Sequence, residues 1–281
     1  MKQATSGDGV EIAYDAWGRR DGPPVLLIQG LGTDSRGWAL QRMAFGRRYR
    51  CFAPDNRGVG QTGQPPRPYS LEQMANDALA VLDAEGVSSA HIVGASMGGV
   101  IAQIIGVMHP ARARSLVLAC TSCRHHPWRR ELLREWADTV QERGAAGLGD
   151  DALQWLVGPR LRRRFGLWLN ILARILLHAD RDGFAGQVQA ILDAPDELRF
   201  ELRGLRAPVL VITGSQDALT PIGDAEELAE MIPLAQLVEL RGAAHGLMVE
   251  SPNAFNDVLL DFLDRVSGLG TVAVDEAAET A

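Results

Sequence analysis

Lysine is almost missing from this chain: Lys2 is the only one among 28 Lys and Arg residues. That excludes mechanisms needing an internal lysine as base or Schiff-base former, and otherwise reads as codon bias. Cysteine is scarce too. Three thiols, an odd number in 281 residues, fit a reducing compartment without structural disulfides. A basic excess is absent. The formal net charge of −7 argues against nucleic acid as a partner, because phosphate neutralisation requires a basic face. No apolar run approaches the roughly 18 residues of a membrane span, and Met1-Lys2-Gln3-Ala4-Thr5-Ser6 lacks the apolar stretch of a secretory signal. A cytoplasmic location is the expectation. Oligomeric state is not written in any of these features.

What is there suits one large α/β domain, or a core with an inserted subdomain. Hydrophobic content of 46% and charged content of 22% are ordinary for a globular chain. Over the first 120 residues strand-like stretches (10–17, 25–29, 49–54, 91–93, 116–120) alternate with helix-like ones (38–47, 71–85, 100–108). Such alternation implies a mostly parallel sheet covered on both faces. From residue 122 to about 194 the strand signal disappears. Leu-rich helical periodicity takes over, broken at 144–149 and at Gly158-Pro159, and four of the six Trp fall here. Strand 209–213, helix 224–231, strand 237–240 and helix 252–265 follow. The expected division is core 1–121, helical cap 122–200, core 201–267, and a small, acidic, aperiodic tail at 268–281 that reads as disordered.

The most informative six residues are Gly94-Ala95-Ser96-Met97-Gly98-Gly99, between the apolar run 91–93 and the helical run 100–108. Strand, sharp turn and helix form the setting of a nucleophile elbow. The turn strains its central residue and needs small neighbours, which leaves the Ser96 hydroxyl exposed above the sheet edge. With 30 Gly in the chain, the spacing alone also fits a glycine-rich turn with an idle serine, so the surrounding pattern must carry the reading.

A serine hydroxyl needs a base within hydrogen-bond reach, and that base needs an orienting acid. Asp217 lies in the Gly214-Ser215-Gln216-Asp217 turn past the 209–213 strand, at the carboxyl end where catalytic groups of open α/β sheets gather. The competing reading is an Asp that fixes a turn or caps a helix, a task for which Asp224 is better placed. Thr121-Ser122-Cys123, past strand 116–120, offers no acid. His245, in Gly242-Ala243-Ala244-His245-Gly246, follows the 237–240 strand. A lone loop histidine is usually just solvated, but here Ser96, Asp217 and His245 each sit just past a strand. His91, His109, His125, His126 and His178 lack such a setting. For an oxyanion hole the turn Gln29-Gly30-Leu31-Gly32 points to the backbone amide of Leu31, with that of Met97 as the residue after the nucleophile.

With these residues in place, the chain resembles cap-bearing serine esterases and lactonases of the α/β-hydrolase fold. The resemblance covers roughly residues 10–120 and 205–265. It includes Asp55-Asn56-Arg57-Gly58-Val59-Gly60-Gln61-Thr62, His109-Pro110 before a strand, and the spacing from His245 to Glu250-Ser251-Pro252. It implies a mostly parallel central sheet with helices on both faces and a helical cap insert. Two departures stand out. Gln29 replaces the His that many members carry before the oxyanion glycine as a loop organiser, and Ala95 replaces the His common before the nucleophile.

The expected function is cofactor-free and metal-free hydrolysis of a carboxylic ester or lactone of a small, largely apolar substrate, through an acyl-enzyme on Ser96. Thioester hydrolysis, acyl transfer and perhydrolysis would use the same three residues. A small-molecule sensor is the rival from another class. Epoxide hydrolases and haloalkane dehalogenases would need Asp at position 96. Gly30, Trp38, Cys123, Trp128 and Leu247 are expected at the substrate, with Trp136 a further wall candidate. Cys120-Thr121-Ser122-Cys123 closes a buried strand, unlike a redox pair. Arg160-Leu161-Arg162-Arg163-Arg164 could attract a carboxylate, but fits a solvated helix face better.

Overall fold

Strands buried on both faces are apolar at consecutive positions, and β3 (Pro24–Ile28), β5 (Ala90–Ala95), β6 (Ala113–Ala119) and β7 (Val209–Gly214) follow that pattern. The structure is a computed structural model that describes residues 1–164, 179–195 and 201–269. The remaining strands are β1 (Lys2–Thr5), β2 (Glu11–Gly18), β4 (Arg50–Pro54) and β8 (Ala235–Leu240). They join one eight-stranded sheet in the order β1-β2-β4-β3-β5-β6-β7-β8. Only the β1–β2 and β2–β4 pairs are antiparallel. The others are parallel, with Ile28 level with Gly94 and Ala95 level with Ala119.

Side chains alternate between the two faces with period two. Leu26, Ile28, Ile92, Leu116 and Leu118 pack on the face covered by α2 (Leu71–Ala84) and α3 (Met97–Met108). Val25, Leu27, Val93, Val117 and Ile212 pack on the opposite face, with Phe45 of α1 (Arg42–Gly46) and Phe255, Leu259 and Phe262 of α9 (Pro252–Ser267). Each buried side chain of this kind contributes about 1.5–3 kcal/mol.

Between β6 and β7 the described residues form helices α4 (Pro127–Arg143), α5 (Gly149–Leu156) and α6 (Arg181–Leu192), interrupted at the expected glycines. Gly144 ends α4 with a φ of 73°. Helix α7 (Ile222–Met231) and the single turn α8 (Leu247–Glu250) complete the elements. The helix expected at 38–47 is instead a 3₁₀ turn, Ser35–Trp38, followed by α1. The Asp34 side chain accepts from the Arg36 amide and starts that tight turn. Strand β1 escapes sequence reading because only Ala4 in it is buried. Helix α9 stops at Gly268 in the left-handed conformation. Beyond Gly268 and Leu269, the expected disordered tail lies outside the described residues. No helix among them is long and apolar enough to cross a membrane.

Candidate active site

The turn between β5 and α3 sets Ser96 at φ 54° and ψ −119°, a region that costs a side-chain-bearing residue of order 1–3 kcal/mol. Neighbouring bonds hold it there. The Ser96 amide donates to the Ala119 carbonyl at 2.9 Å, and Thr121 Oγ1 donates to the Ser96 carbonyl at 2.8 Å. The flanking glycines are a steric requirement. A Cβ at Gly94 would lie 2.1 Å from the Gly98 carbonyl oxygen, and one at Gly98 would lie 2.2 Å from the Ile28 carbonyl oxygen.

The loops after β7 and β8 are zipped together. Ser215 donates its amide to the Leu240 carbonyl at 3.1 Å and Gln216 to the Ala243 carbonyl at 2.8 Å. This brings Asp217 Oδ2 to 2.9 Å from His245 Nδ1, and His245 Nε2 to 3.0 Å from Ser96 Oγ. Asp217 and His245 are both buried. The Asp217 carboxylate also accepts from the amides of Leu219 and Thr220, at 2.9 and 2.8 Å, and from the Thr220 hydroxyl at 2.7 Å. Burial alone would raise this carboxyl. The charge and hydrogen bond of His245, with the amide and hydroxyl of Thr220, outweigh burial and hold it below the usual carboxylate range. Asp224, the residue better suited to capping, instead pairs with the buried Arg129.

Above Ser96 a cavity of about 230 Å³ is walled by Gly30, Leu31 and Met97 from the core and by Leu133, Trp136 and Phe184 from the helical stretch. Met97 opens α3, so its amide is among those a helix leaves without an internal acceptor. Gln29 holds the loop that carries Leu31. Its Oε1 accepts from the Gly30 amide and the Thr33 hydroxyl, both at 3.4 Å, and its carbonyl accepts from Asn56 Nδ2 at 3.0 Å. Where the family resemblance would place a histidine, the glutamine side chain makes the first two of these bonds, and the third uses its backbone carbonyl.

The family model for the alpha/beta hydrolase family matches residues 25–258. The chain belongs to that family. It is 29% identical over 268 residues to 3-oxoadipate enol-lactonase 2 of Acinetobacter baylyi, covering 94% of this chain and 97% of that protein. Among solved structures it resembles the enol-lactonase from Burkholderia xenovorans LB400, with 31% identity, a TM-score of 0.86, and coverage of 93% of this chain and 99% of that one. It also resembles a thermophilic esterase from Thermogutta terrifontis, with 27% identity, a TM-score of 0.86, and coverage of 94% and 98%.

In this member of the alpha/beta hydrolase family the structure brings Ser96, Asp217 and His245 together, with Leu31, Met97 and Gly30 at the cavity. Four other expected residues do not line it. Trp38 is fully buried with Phe45 and Phe255 in the core cluster on the α1/α9 face. Leu247 faces that cluster as well, and its neighbours Met248 and Val249 reach the cavity instead. Cys123 points to Met231 on α7, sulfur to sulfur at 3.9 Å. Trp128 is half exposed and stacks on Trp155 with centroids 5.6 Å apart. Trp136 does line the cavity. Cys120 and Cys123 are both free thiols, and burial pushes that of Cys123 up to about 12.

Sequence reading missed several wall and support residues. Phe184 and His125 line the cavity. Burial, reinforced by the Arg129 and Arg130 charges, holds the His125 imidazole down at about 3 and therefore neutral. Glu250 was in view only as part of a spacing. It also lines the cavity and accepts from the Ala244 and Gly158 amides, each at 3.0 Å. Gln187, wholly buried on α6, gave no signal in the sequence.

Proposed function

We propose that this protein hydrolyses a carboxylic ester or lactone of a small, largely apolar substrate through an acyl-enzyme on Ser96. The observation that carries the reading is the unbroken relay of 3.0 Å from Ser96 Oγ to His245 Nε2 and 2.9 Å from His245 Nδ1 to Asp217 Oδ2. In this scheme His245 takes the hydroxyl proton as Ser96 attacks the carbonyl carbon. Asp217 keeps the Nδ1–H tautomer and stabilises the imidazolium that forms. The Leu31 and Met97 amides receive the oxyanion, an interaction that contributes about 3–4 kcal/mol per donor in comparable sites. The tetrahedral intermediate collapses, His245 returns the proton to the leaving alkoxide, and His245 then activates water to release the acid.

The apolar wall supports a substrate with little charge. Of the charged side chains on it, Arg129 is paired with Asp224 and Glu250 accepts from two backbone amides. The relatives named above are an enol-lactonase and an esterase, which does not favour thioesterase, acyl-transfer, perhydrolase or sensor readings. Three free cysteines, two of them fully buried, support a cytoplasmic location. Replacement of Ser96 by Ala is expected to lower kcat for p-nitrophenyl acetate by roughly 10³-fold or more and to abolish labelling by a fluorophosphonate probe. Full hydrolysis by that variant would refute the assignment.

A further inference from the structure

The helical stretch between β6 and β7 does more than wall the cavity. On α6, Gly183 and Gln187 are one turn apart and share a face. Gly183 packs backbone to backbone on Gly58: a Cβ on it would lie 2.0 Å from the Gly58 carbonyl oxygen. Just before α6, Ala179 forms an isolated bridge with Val59. That close approach carries the Gln187 side chain into the core. Its Oε1 accepts from the Gly32 amide at 2.8 Å, and its Nε2 donates to the Arg57 carbonyl at 3.0 Å. The peptide held by Gln187 adjoins the one that carries the Leu31 N–H.

A second tie reaches the histidine loop. The amides on either side of His245 are both engaged. Ala244 donates to Glu250 Oε1 at 3.0 Å, and Gly246 donates to the Leu156 carbonyl, at the end of α5, at 2.7 Å. The other oxygen of Glu250 accepts from the Gly158 amide at 3.0 Å, which fastens the same loop to the residues after α5. Burial pushes the Glu250 carboxyl up, and these two amides pull against that shift. Both ties employ backbone groups around Leu31 and His245 that would otherwise be buried without partners, a cost that makes the arrangement hard to relax.

Building on the serine-hydrolase reading, we propose that Gln187 and Glu250 are positioning residues through which the helical stretch holds the oxyanion loop and the His245 loop in register with Ser96. The helical segment is then part of the catalytic apparatus for every substrate, including those too small to fill the cavity. A segment that only selected substrates would affect long acyl groups and spare short ones.

The test is steady-state kinetics of the full chain on p-nitrophenyl acetate and p-nitrophenyl octanoate, with thermal melts as the folding control and Ser96→Ala as the reference for the underlying reading. Gln187→Leu is expected to lower kcat on acetate by about tenfold or more, with KM within about threefold, and to lower kcat on octanoate by a similar factor. Glu250→Gln sets an amide donor against one of the two N–H groups. It is expected to lower kcat about five- to tenfold on both esters, and it carries the decision should Gln187→Leu fail to fold. Folded variants with kcat on acetate within twofold of wild type, and only a raised KM for octanoate, would overturn the proposal. Activity surviving in Ser96→Ala would instead overturn the reading beneath it.

Discussion

The loops at the carboxyl ends of β3, β5 and β8 deliver backbone amides, a hydroxyl and an imidazole to the cavity, and the loop after β7 sets a carboxylate behind the imidazole, whereas α4, α5 and α6 deliver Leu133, Trp136, Leu153 and Phe184. The first set is fixed by strain and short hydrogen bonds; the second is fixed by packing. Distances in the polar set are about 3 Å and leave little tolerance, since a misplacement of 1 Å can cost about 100-fold in rate. An apolar wall tolerates exchange as long as volume is kept. Gln187 and Glu250 cross this division, because each joins the helical stretch or its flank to a loop of the polar set.

That contrast can be tested by substitution. The largest effect after loss of Ser96 is expected from Asp217→Asn, which leaves His245 Nδ1 facing an amide and disfavours the required tautomer. A fall in kcat of roughly 10³- to 10⁴-fold on acetate and octanoate alike is the expected result. The same variant bears on acid stability. Because the Asp217 carboxyl is held below its unfolded value, its stabilising contribution is present above the unfolded pKa of about 3.9 and is lost as pH falls through the lower folded value. The melting-temperature gap between wild type and Asp217→Asn should therefore narrow below about pH 4.

Gly98→Ala comes next and acts on the scaffold. The added methyl meets the Ile28 carbonyl at 2.2 Å, so a loss of about 3 kcal/mol in urea unfolding is expected, together with loss of activity. The smallest effect belongs to the packed wall. Trp136→Ala should raise KM for the octanoate ester by about 3- to 30-fold while kcat on acetate stays within about twofold. An equal loss of kcat on acetate would show that the wall, too, is coupled to the polar groups.

How far the site could be read ahead of the structure follows from the same contrast. Ser96, Asp217 and His245 were legible because each follows an apolar run that ends at a strand terminus, and a parallel sheet gathers such termini at one edge. The Leu31 and Met97 amides, the proposed oxyanion donors, were read from the glycine turn after β3 and from the position following Ser96. Trp38, Cys123, Trp128 and Leu247 went astray because hydrophobicity marks a residue as buried or sticky but does not say which cavity or core it faces. Leu247 missed the wall by one position: both it and Met248 pack in the core cluster, but only Met248 also reaches the cavity. Asp224 looked like a cap by position, yet tertiary packing gave it Arg129 as a partner.

The order of strands and helices, the strained serine turn and the identity of the relay groups were set by local pattern: periodicity, glycine at crowded turns, and residue chemistry just past each strand. Tertiary structure alone decided which apolar side chains wall the cavity. It also decided that Gln187, 155 residues from Gly32 in sequence, should bond the loop that carries Leu31. The physical reason is that a hydrogen bond between distant segments leaves no periodic trace. Its partners are chosen only when two helices and a sheet edge have packed closely enough to bury the groups that must then be paired.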